Sequence, residues 1–462
     1  MHLRGSTLIR MPAMDSAQVQ TRSPLQPLKP ANQAALPPDS LAAALLCAAH
    51  AIQAVSSGRS LNDALLERSF EKAQLGPGAR SAATDLCYCA LRAFGRGDFL
   101  LSRLLHKPLK EPLIRGLLLA ALFRLESRPD DTHTTVDQAV EAASVLKQGA
   151  FKALVNAVLR NFVRRRESML DAAGRDEVAH WQHPRWWIAR VQKAYPEEWQ
   201  AVLGAGNTRP PMTLRVNLRL TDVAAYARQL ADAGIEAVES GGAALRLIRP
   251  VPVARLPGFA QGLVSVQDLG SQRAAELLDL QDRVRVLDAC AAPGGKTAHI
   301  LERAEVKLTA LDSDATRLVG VERNLARLGL GAKLRCFDCR DLSTWWDGVA
   351  FDRVLADVPC SASGVVRRHP DSKWLRRETD IAQFAQIQTT VLDALWQVLA
   401  SGGTLLYATC SVFPEENSEQ VAAFAARHND CEFVPIEGAQ ALQLLPCPEH
   451  GGFFYALLAK RP

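Results

Sequence analysis

The spacing of hydrophobic and polar positions changes along the chain and divides it into four stretches. Between residue 41 and about residue 166, apolar residues recur at helical spacing and almost no strand pattern is present. Ser40 is a favourable N-cap for the first helix, and the apolar run that starts at Leu113 is too short to cross a membrane. This pattern predicts an all-α domain, which we assign to residues 39–170.

Two weaker patterns flank that domain. Residues 1–38 contain repeated prolines and few large apolar residues, which predicts a disordered tail. Further on, the run that begins at Thr213 alternates like a strand, a helical pattern is closed by Gly234, and two short strand patterns follow. We therefore predict a linker and a small α+β module over residues 171–270.

Strand and helix patterns alternate over residues 271–462. This alternation predicts a doubly wound, Rossmann-like α/β sheet, in which a ligand sits at the carboxyl ends of the strands. The predicted strands are Arg285–Asp288, Lys307–Asp312, Lys333–Cys336, Arg353–Asp357 and Thr404–Ala408.

Composition narrows the class of protein. The formal net charge of +5 permits a polyanionic partner without requiring one. The 10 cysteines lack the spacing of a disulfide scaffold, and no run is typical of a signal peptide or a membrane span. We therefore expect a cytoplasmic protein with free thiols and no membrane association. Cys336 and Cys339 have redox-motif spacing, but no second pair completes a zinc site, so no metal is predicted.

A glycine-rich loop follows the first predicted strand of the sheet. It ends in Gly294-Gly-Lys-Thr297, like a phosphate-binding loop, but Cys290 occupies the position of the first required glycine. S-adenosylmethionine carries no phosphate and needs close backbone approach, which glycines allow. Asp312 then suits the ribose hydroxyls and Asp338 the adenine amine, unless both aspartates merely cap helices.

Two cysteines lie in separate motifs behind this loop, Asp357-Val-Pro-Cys360 and Tyr407-Ala-Thr-Cys410-Ser411. Two thiols that face one substrate beside such a cofactor indicate covalent chemistry on a pyrimidine. A thiolate that adds to carbon 6 of cytosine makes carbon 5 nucleophilic enough to accept a methyl group. We expect Lys296 to lower the pKa of a thiol and Asp357 to hydrogen-bond the cytosine. The residues alone do not choose between Cys360 and Cys410 as the nucleophile.

Three runs, Leu287–Thr297, Asp357–Trp374 and Tyr407–Asn417, resemble the bacterial ribosomal RNA cytosine-5 methyltransferase family RsmB (Sun/Fmu). The helical domain is similar to the antitermination factor NusB. The resemblance implies methylation of a small-subunit ribosomal RNA cytosine, the one numbered 967 in 16S RNA, with S-adenosylmethionine as donor. It implies that Cys410 is the nucleophile and that Cys360 assists proton loss and product release. The cofactor-binding residues that it implies are Cys290, Ala291, Ala292, Pro293, Gly294, Gly295, Lys296, Asp312, Asp338 and Asp357.

Basic residues beside an aromatic ring predict where RNA binds. Four of them follow Cys360 and precede or adjoin Trp374, and two more end the last helix of the all-α domain. A solvated surface is the alternative reading for both groups. The predicted RNA contacts are Arg367, Arg368, His369, Lys373, Arg164 and Arg165.

The expected partner is small-subunit ribosomal RNA, and the expected state is a monomer. Two other functions stay open. One is cytosine-5 methylation of transfer RNA by the same two thiols. The other is a catalytically silent RNA-binding assembly factor, against which the presence of Cys360, Cys410, Asp312 and Asp357 argues.

Overall fold

A computed structural model describes residues 36–462, so the tail predicted over residues 1–38 lies almost wholly outside the described residues. The N-terminal region is helical. Ser40 caps its first helix by accepting a hydrogen bond from the amide of Ala43 at 3.1 Å. The helices are α1 (Leu41–Ser56), α2 (Asp63–Ala73), α3 (Pro77–Arg92), α4 (Phe94–Leu104), α5 (Pro112–Ser127), α6 (Thr132–Ser144), α7 (Lys152–Arg164), α8 (Arg166–Arg175), α9 (Glu177–Trp181), α10 (Arg185–Ala194) and α11 (Trp199–Gly206).

Helices α1 and α5 cross at the centre of this bundle. A Cβ atom at Gly116 of α5 would lie 2.6 Å from the carbonyl oxygen of Ala49 in α1, so only glycine permits this close approach. The leucines of α5 and the alanines of α1 are buried around the crossing, which is why the apolar run at Leu113 forms a core helix.

A small antiparallel sheet with one helix follows the bundle. Its strand order is β2-β3-β1-β4, and one face packs on α12 through buried Leu214, Leu245 and Tyr226. The predicted strand at Thr213 and the predicted helix are present, whereas β2 was not predicted. The elements are β1 (Thr213–Val216), α12 (Val223–Asp232), β2 (Ala237–Glu239), β3 (Ala244–Leu247) and β4 (Val264–Val266).

The C-terminal region is built on a mixed sheet with the order β10-β12-β9-β8-β5-β6-β7, and β11 pairs with β12. Five neighbouring strands from β9 to β7 are parallel, and β12 is antiparallel to β9. The elements are α13 (Leu269–Leu277), β5 (Arg285–Asp288), α14 (Gly295–Arg303), β6 (Lys307–Asp312), α15 (Ala315–Arg327), β7 (Lys333–Cys336), α16 (Leu342–Trp345), β8 (Phe351–Asp357), α17 (Ser372–Leu375), α18 (Glu378–Val398), β9 (Leu399–Thr409), α19 (Ser418–Arg427), β10 (Cys431–Val434), β11 (Leu442–Leu444) and β12 (Phe453–Lys460).

The predicted Rossmann-like class is confirmed, with β5, β6 and β7 at their predicted bounds. Strands β8 and β9 are longer than predicted, and β10, β11 and β12 were not predicted. The boundaries drawn after residues 170 and 270 fall inside α8 and α13. Because a helix is one hydrogen-bonded unit, we propose to move both boundaries into the loops beside these helices.

Candidate active site

The two cysteine motifs meet at the carboxyl ends of β8 and β9, which are adjacent and parallel. Cys360 and Cys410 follow these strands, and their Sγ atoms lie 3.4 Å apart. The amide of Gly364 donates to the carbonyl oxygen of Cys410 at 2.8 Å, which ties the chain after one cysteine to the other. The predicted meeting of two thiols is therefore present in the fold.

The groups around the Cys360 thiol change its pKa. Its hydrogen bond with Cys410 and its burial raise its pKa well above the usual value, and the charge of Glu416 adds to the increase. Cys360 is thus held in the protonated form when no substrate is present. A nearby negative charge disfavours a second one, so one thiol of the pair keeps its proton.

The glycine-rich loop joins β5 to α14 on the other side of the site. Gly294 has φ +92°, and a Cβ atom there would lie 3.0 Å from Val321, so this turn requires glycine. Asp288 at the end of β5 accepts from the Thr297 hydroxyl at 2.6 Å, and burial raises the pKa of Asp288 to about 7. The amide of Ala292 donates to Asp312 at 3.1 Å, which fixes the loop on the end of β6.

Lys296 reaches across from the loop to the cysteine side. Its ammonium donates to the Asp357 carboxylate at 2.8 Å. Burial alone would lower the pKa of Lys296, but Asp357 and, less strongly, Cys410 favour the charged form, so the net pKa is raised. Lys296 therefore remains a cation bound to Asp357, and its predicted effect on a thiol pKa stays a prediction.

A cavity of about 290 Å³ opens between the glycine-rich loop and the two turns that begin at Cys360 and Cys410, called the cysteine turns. The lining residues that were predicted from the sequence are Cys290, Ala292, Asp312, Asp338, Asp357, Cys360 and Cys410. Other predicted loop residues, namely Ala291, Pro293, Gly294, Gly295 and Lys296, are not among its lining residues. The structure thus brings the predicted acids and both predicted catalytic cysteines to one cavity, and most of the predicted loop residues lie outside its lining.

Asp338 already has a partner on the rim of this cavity. The Arg340 guanidinium lies 2.5 Å from its carboxylate, and this hydrogen bond lowers the pKa of Asp338. The carboxylate is 41% exposed and still reachable by a ligand, so its predicted contact with an adenine amine stays a prediction.

Two of the predicted RNA contacts are wrong as surface contacts, because their side chains are buried. Arg367 is 1% exposed and donates to the carbonyl oxygen of Cys447 at 2.8 Å. Lys373 is 0% exposed and donates to the carbonyl oxygen of Arg92 and to Asn207. Burial and the charge of Arg92 lower the pKa of Lys373 well below its usual value. Both side chains belong to the interior: that of Lys373 joins the C-terminal region to the helices, whereas that of Arg367 bonds within the C-terminal region.

The other four predicted RNA contacts have different surroundings. Arg368 is partly exposed and forms a 2.8 Å ion pair with Asp268. His369 is exposed and has interactions within the protein. Arg164 and Arg165 are exposed at the end of α7. Their contact with RNA stays a prediction.

Glu416 is a site residue that the sequence reasoning missed. It is fully buried and accepts hydrogen bonds from Ser361 and Ser411, the residues that directly follow the two cysteines. The repeated Cys-Ser pair was a signal in the sequence, but the partner of the serines lies in a run that was used only for the resemblance.

Neither a membrane helix nor a metal site is found in the part of the chain that the structure describes. No helix between residues 36 and 462 is long and apolar enough to cross a membrane. Among the same residues, no group of three or more histidine, cysteine, aspartate or glutamate side chains is placed to hold a metal ion.

Three family models match the chain, one after another. They describe the NusB family over residues 41–164, a ferredoxin-like domain of RsmF/B-like methyltransferases over residues 183–254, and 16S rRNA methyltransferase RsmB/F over residues 275–459. The crystal structure of PH0851 has a TM-score of 0.78 at 24% identity and covers 92% of this chain and 99% of that chain. A methyltransferase homolog protein from Pyrococcus horikoshii has a TM-score of 0.55 at 27% identity, with 61% and 97% covered.

Curated relatives match over almost their whole length. Ribosomal RNA small subunit methyltransferase B of Yersinia enterocolitica is 42% identical over 419 residues, which are 88% of this chain and 96% of the relative. The Vibrio vulnificus protein of the same name is 43% identical over 416 residues, with 88% and 97% covered. The chain therefore belongs to the ribosomal RNA small subunit methyltransferase B family of S-adenosylmethionine-dependent RNA (cytosine-5) methyltransferases.

Proposed function

We propose that this chain methylates carbon 5 of one cytosine in small-subunit ribosomal RNA through a covalent adduct with Cys410. The observation that carries the proposal is the 3.4 Å approach of the Cys360 and Cys410 sulfur atoms at one cavity. A single thiol would suffice for a structural role. Two thiols at the end of a sheet, beside a glycine-rich loop and the aspartates that line the cavity, suit the addition of sulfur to a pyrimidine and its later elimination.

The residues around the cavity fit S-adenosylmethionine. The turn at Gly294 allows close backbone approach, and Asp312 stands at the end of β6 with each oxygen accepting one amide hydrogen bond. Carboxylate oxygens have capacity for further donors, so Asp312 can still accept from ribose hydroxyls. When bound, this cofactor supplies an electrophilic methyl group. Asp312, Asp338 and the loop would hold it.

The chain's own groups then divide the work on the base. Cys410 Sγ bonds to carbon 6 of cytosine, which makes carbon 5 the nucleophile that takes the methyl group. The proton on carbon 5 then leaves to solvent with the assistance of Cys360, its electron pair re-forms the double bond between carbons 5 and 6, and the bond from carbon 6 to sulfur breaks to return Cys410 as a thiolate. Lys296 donates to Asp357 at 2.8 Å, which supports the proposal that Asp357 hydrogen-bonds the Watson–Crick edge of the base.

The proposed target within the RNA is the cytosine numbered 967 of 16S RNA, as the family resemblance implies. The target must leave its stack to enter the cavity, and an RNA loop makes that inexpensive. The proposal includes action as a monomer in the cytoplasm, where thiols remain reduced. Transfer RNA methylation and a silent assembly role are the competing functions.

A denaturing gel of the Cys360→Ala and Cys410→Ala variants with small-subunit RNA and S-adenosylmethionine tests the chemistry. We expect a shifted protein–RNA band from Cys360→Ala alone, because release fails after the adduct has formed. A band from Cys410→Ala alone would exchange the roles of the two cysteines. No band from either variant beside an active wild type would end the covalent mechanism.

Matched samples separate the remaining alternatives. The Cys431→Ala variant changes a cysteine of β10 outside the cavity lining, and it should behave like the wild type. Radiolabelled methyl transfer to transfer RNA but not to small-subunit RNA would favour the transfer RNA enzyme. Absence of transfer to either RNA would favour the assembly factor.

A further inference from the structure

Glu416 is a buried carboxylate without a cationic partner. It ends the short 3₁₀ turn Pro414–Glu416, and its side chain is 0% exposed. Among the described residues, no lysine, arginine or histidine forms an ion pair with it. A buried charge must be stabilised by hydrogen bonds or by an opposite charge. The hydrogen-bond donors around Glu416 therefore indicate its role.

Four hydrogen bonds supply that compensation: three come from the two cysteine turns, and the fourth comes from Gln388 of α18. Oε1 accepts from the Ser361 amide at 2.8 Å and from Gln388 at 3.2 Å. Oε2 accepts from the hydroxyls of Ser361 and Ser411, each at 2.6 Å. One carboxylate therefore joins the residue after Cys360 to the residue after Cys410.

We propose that Glu416 is a positioning residue for the methyl transfer, which holds the two cysteine turns so that both thiols meet one base. The inference rests on the proposed function. Glu416 acts through Ser361 and Ser411 and contacts neither substrate nor sulfur in this role. Reacting groups displaced by about 1 Å lose about a hundredfold in rate, so a clamp at this point has a large effect.

The serines extend the clamp into the backbone on both sides. The Ser363 hydroxyl lies 3.0 Å from that of Ser411 and accepts from the amide of Val412 at 2.8 Å. Ser411 Oγ also accepts from the amide of Phe413 at 3.0 Å. The Ser363 hydroxyl of the Cys360 turn thus holds the backbone of the Cys410 turn, and Glu416 is the common acceptor of the Ser361 and Ser411 hydroxyls.

The charge of Glu416 adds a second effect on the same pair. Glu416 is one of the groups that raise the pKa of Cys360, after the hydrogen bond from Cys410 and burial. Burial raises the pKa of Glu416 itself, while its hydrogen bonds from Ser361 and Ser411 oppose that increase. Donors of this kind favour the carboxylate, and in that form Glu416 contributes to the raised pKa of Cys360.

The test measures the spacing of the thiols directly. Full-length protein is treated with the thiol oxidant diamide, and formation of the Cys360–Cys410 disulfide is followed by alkylation and peptide mass mapping. In Glu416→Ala we expect disulfide formation about tenfold slower, because the bond demands a specific geometry. We also expect kcat to fall about a hundredfold with little change in KM for S-adenosylmethionine.

Glu416→Gln is the variant that keeps the proposal falsifiable if Glu416→Ala folds poorly. A glutamine retains an acceptor for the Ser361 amide, and its amide group can donate to the two serine hydroxyls. We expect it to restore the spacing, with disulfide formation within about threefold of the wild type. Ser411→Ala, which removes one arm of the clamp, should fall between Glu416→Gln and Glu416→Ala.

Two controls isolate the spacing of this pair. Cys290 and Cys339 are two further thiols that line the same cavity, and their rate of oxidation should not change in any Glu416 variant. Glu419→Gln makes the same change at an exposed position of α19 and should match the wild type. Equal disulfide rates and equal kcat in wild type and Glu416→Ala would overturn the proposal.

The failure of this inference differs from the failure of the proposed function. A wild type that transfers no methyl group, yet shows a Glu416-dependent disulfide rate, would refute the function and leave the clamp standing. An active wild type whose disulfide rate and kcat ignore Glu416 would refute the clamp alone. Slower oxidation of both thiol pairs in Glu416→Ala, without rescue by glutamine, would mean general loss of structure and would also overturn it.

Discussion

The chain after Cys360 and the chain after Cys410 begin alike and then take different directions. Each cysteine follows a strand of the same parallel pair and precedes a serine that bonds Glu416. After Ser411 the chain turns back on the site. After Ser361 it leaves the site and packs against the helical region, where Arg92 of α3 donates to the carbonyl oxygen of Arg367 at 2.8 Å.

The difference shows that neighbouring parts of one site are fixed by different means. The chain after Cys410, called the Cys410 run, is fixed mainly by short hydrogen bonds among hydroxyls and one carboxylate, which it shares with Ser361. A single outside hydrogen bond is added by the Tyr195 hydroxyl of α10, which donates to the carbonyl oxygen of Val412 at 2.7 Å. The chain after Cys360, called the Cys360 run, is also fixed by contacts from the helical region. These come from α3 and from the segment after α1, where the amide of Leu61 donates to Asp371 at 2.8 Å. The helical region therefore supports the chain after Cys360 in addition to any contact that it makes with RNA.

The largest effect is expected from Lys373→Ala in the Cys360 run. The change removes a buried side chain and leaves the carbonyl oxygen of Arg92 and the side chain of Asn207 without a donor. We expect the free energy of unfolding to fall by about 3 kcal/mol, measured by chemical denaturation. Lys193→Ala, at an exposed position of α10, is the matched control and should change little.

The pH dependence of stability tests whether the Lys373 amine is buried. Burial lowers the folded pKa of Lys373 below the usual 10.5, so the unfolded chain binds the proton more tightly. The free energy of unfolding should therefore rise with pH between the folded pKa and 10.5, more in the wild type than in Lys373→Ala. Equal slopes together with weaker RNA binding by the variant would restore Lys373 as a phosphate contact.

A smaller effect is expected from Tyr407→Phe in the Cys410 run. The Tyr407 hydroxyl donates to the carbonyl oxygen of Glu416 at 2.6 Å in a fully buried position. We expect a loss of about 1 kcal/mol in unfolding free energy and slower formation of the Cys360–Cys410 disulfide. Tyr226→Phe removes a similar hydrogen bond in the small α+β module, so it should cost similar stability without changing the disulfide rate.

The smallest effect on stability is expected where cations are exposed. Arg164→Ala combined with Arg165→Ala should change the free energy of unfolding by less than about 0.5 kcal/mol. If both side chains contact phosphates, the slope of RNA affinity against salt concentration should fall by about 1 for each contact. An unchanged slope, measured by titration at several salt concentrations, would assign both arginines to the solvated surface.

Local signals explain what the sequence predicted. Strands β5, β6 and β7 are short apolar-containing runs with clear ends, and the two cysteines stand next to recognisable turn residues. Whether a basic side chain is buried or exposed depends on contacts with residues that are distant in the sequence. Arg92 and Arg367 lie 275 positions apart, and Ser361 and Glu416 lie 55 apart, so no spacing rule links them. Basic residues near an aromatic ring look the same in a sequence whether they face RNA or the interior.

The 3.4 Å approach of the two sulfur atoms has a stereochemical consequence. No ring fits between atoms so close, so a pyrimidine bound to Cys410 turns a single face toward both. A methyl group delivered to carbon 5 from the opposite face would leave the hydrogen of carbon 5 on the face that the sulfurs share. Hydrogen and sulfur would then depart from the same side, and the step that frees the product would be a syn elimination.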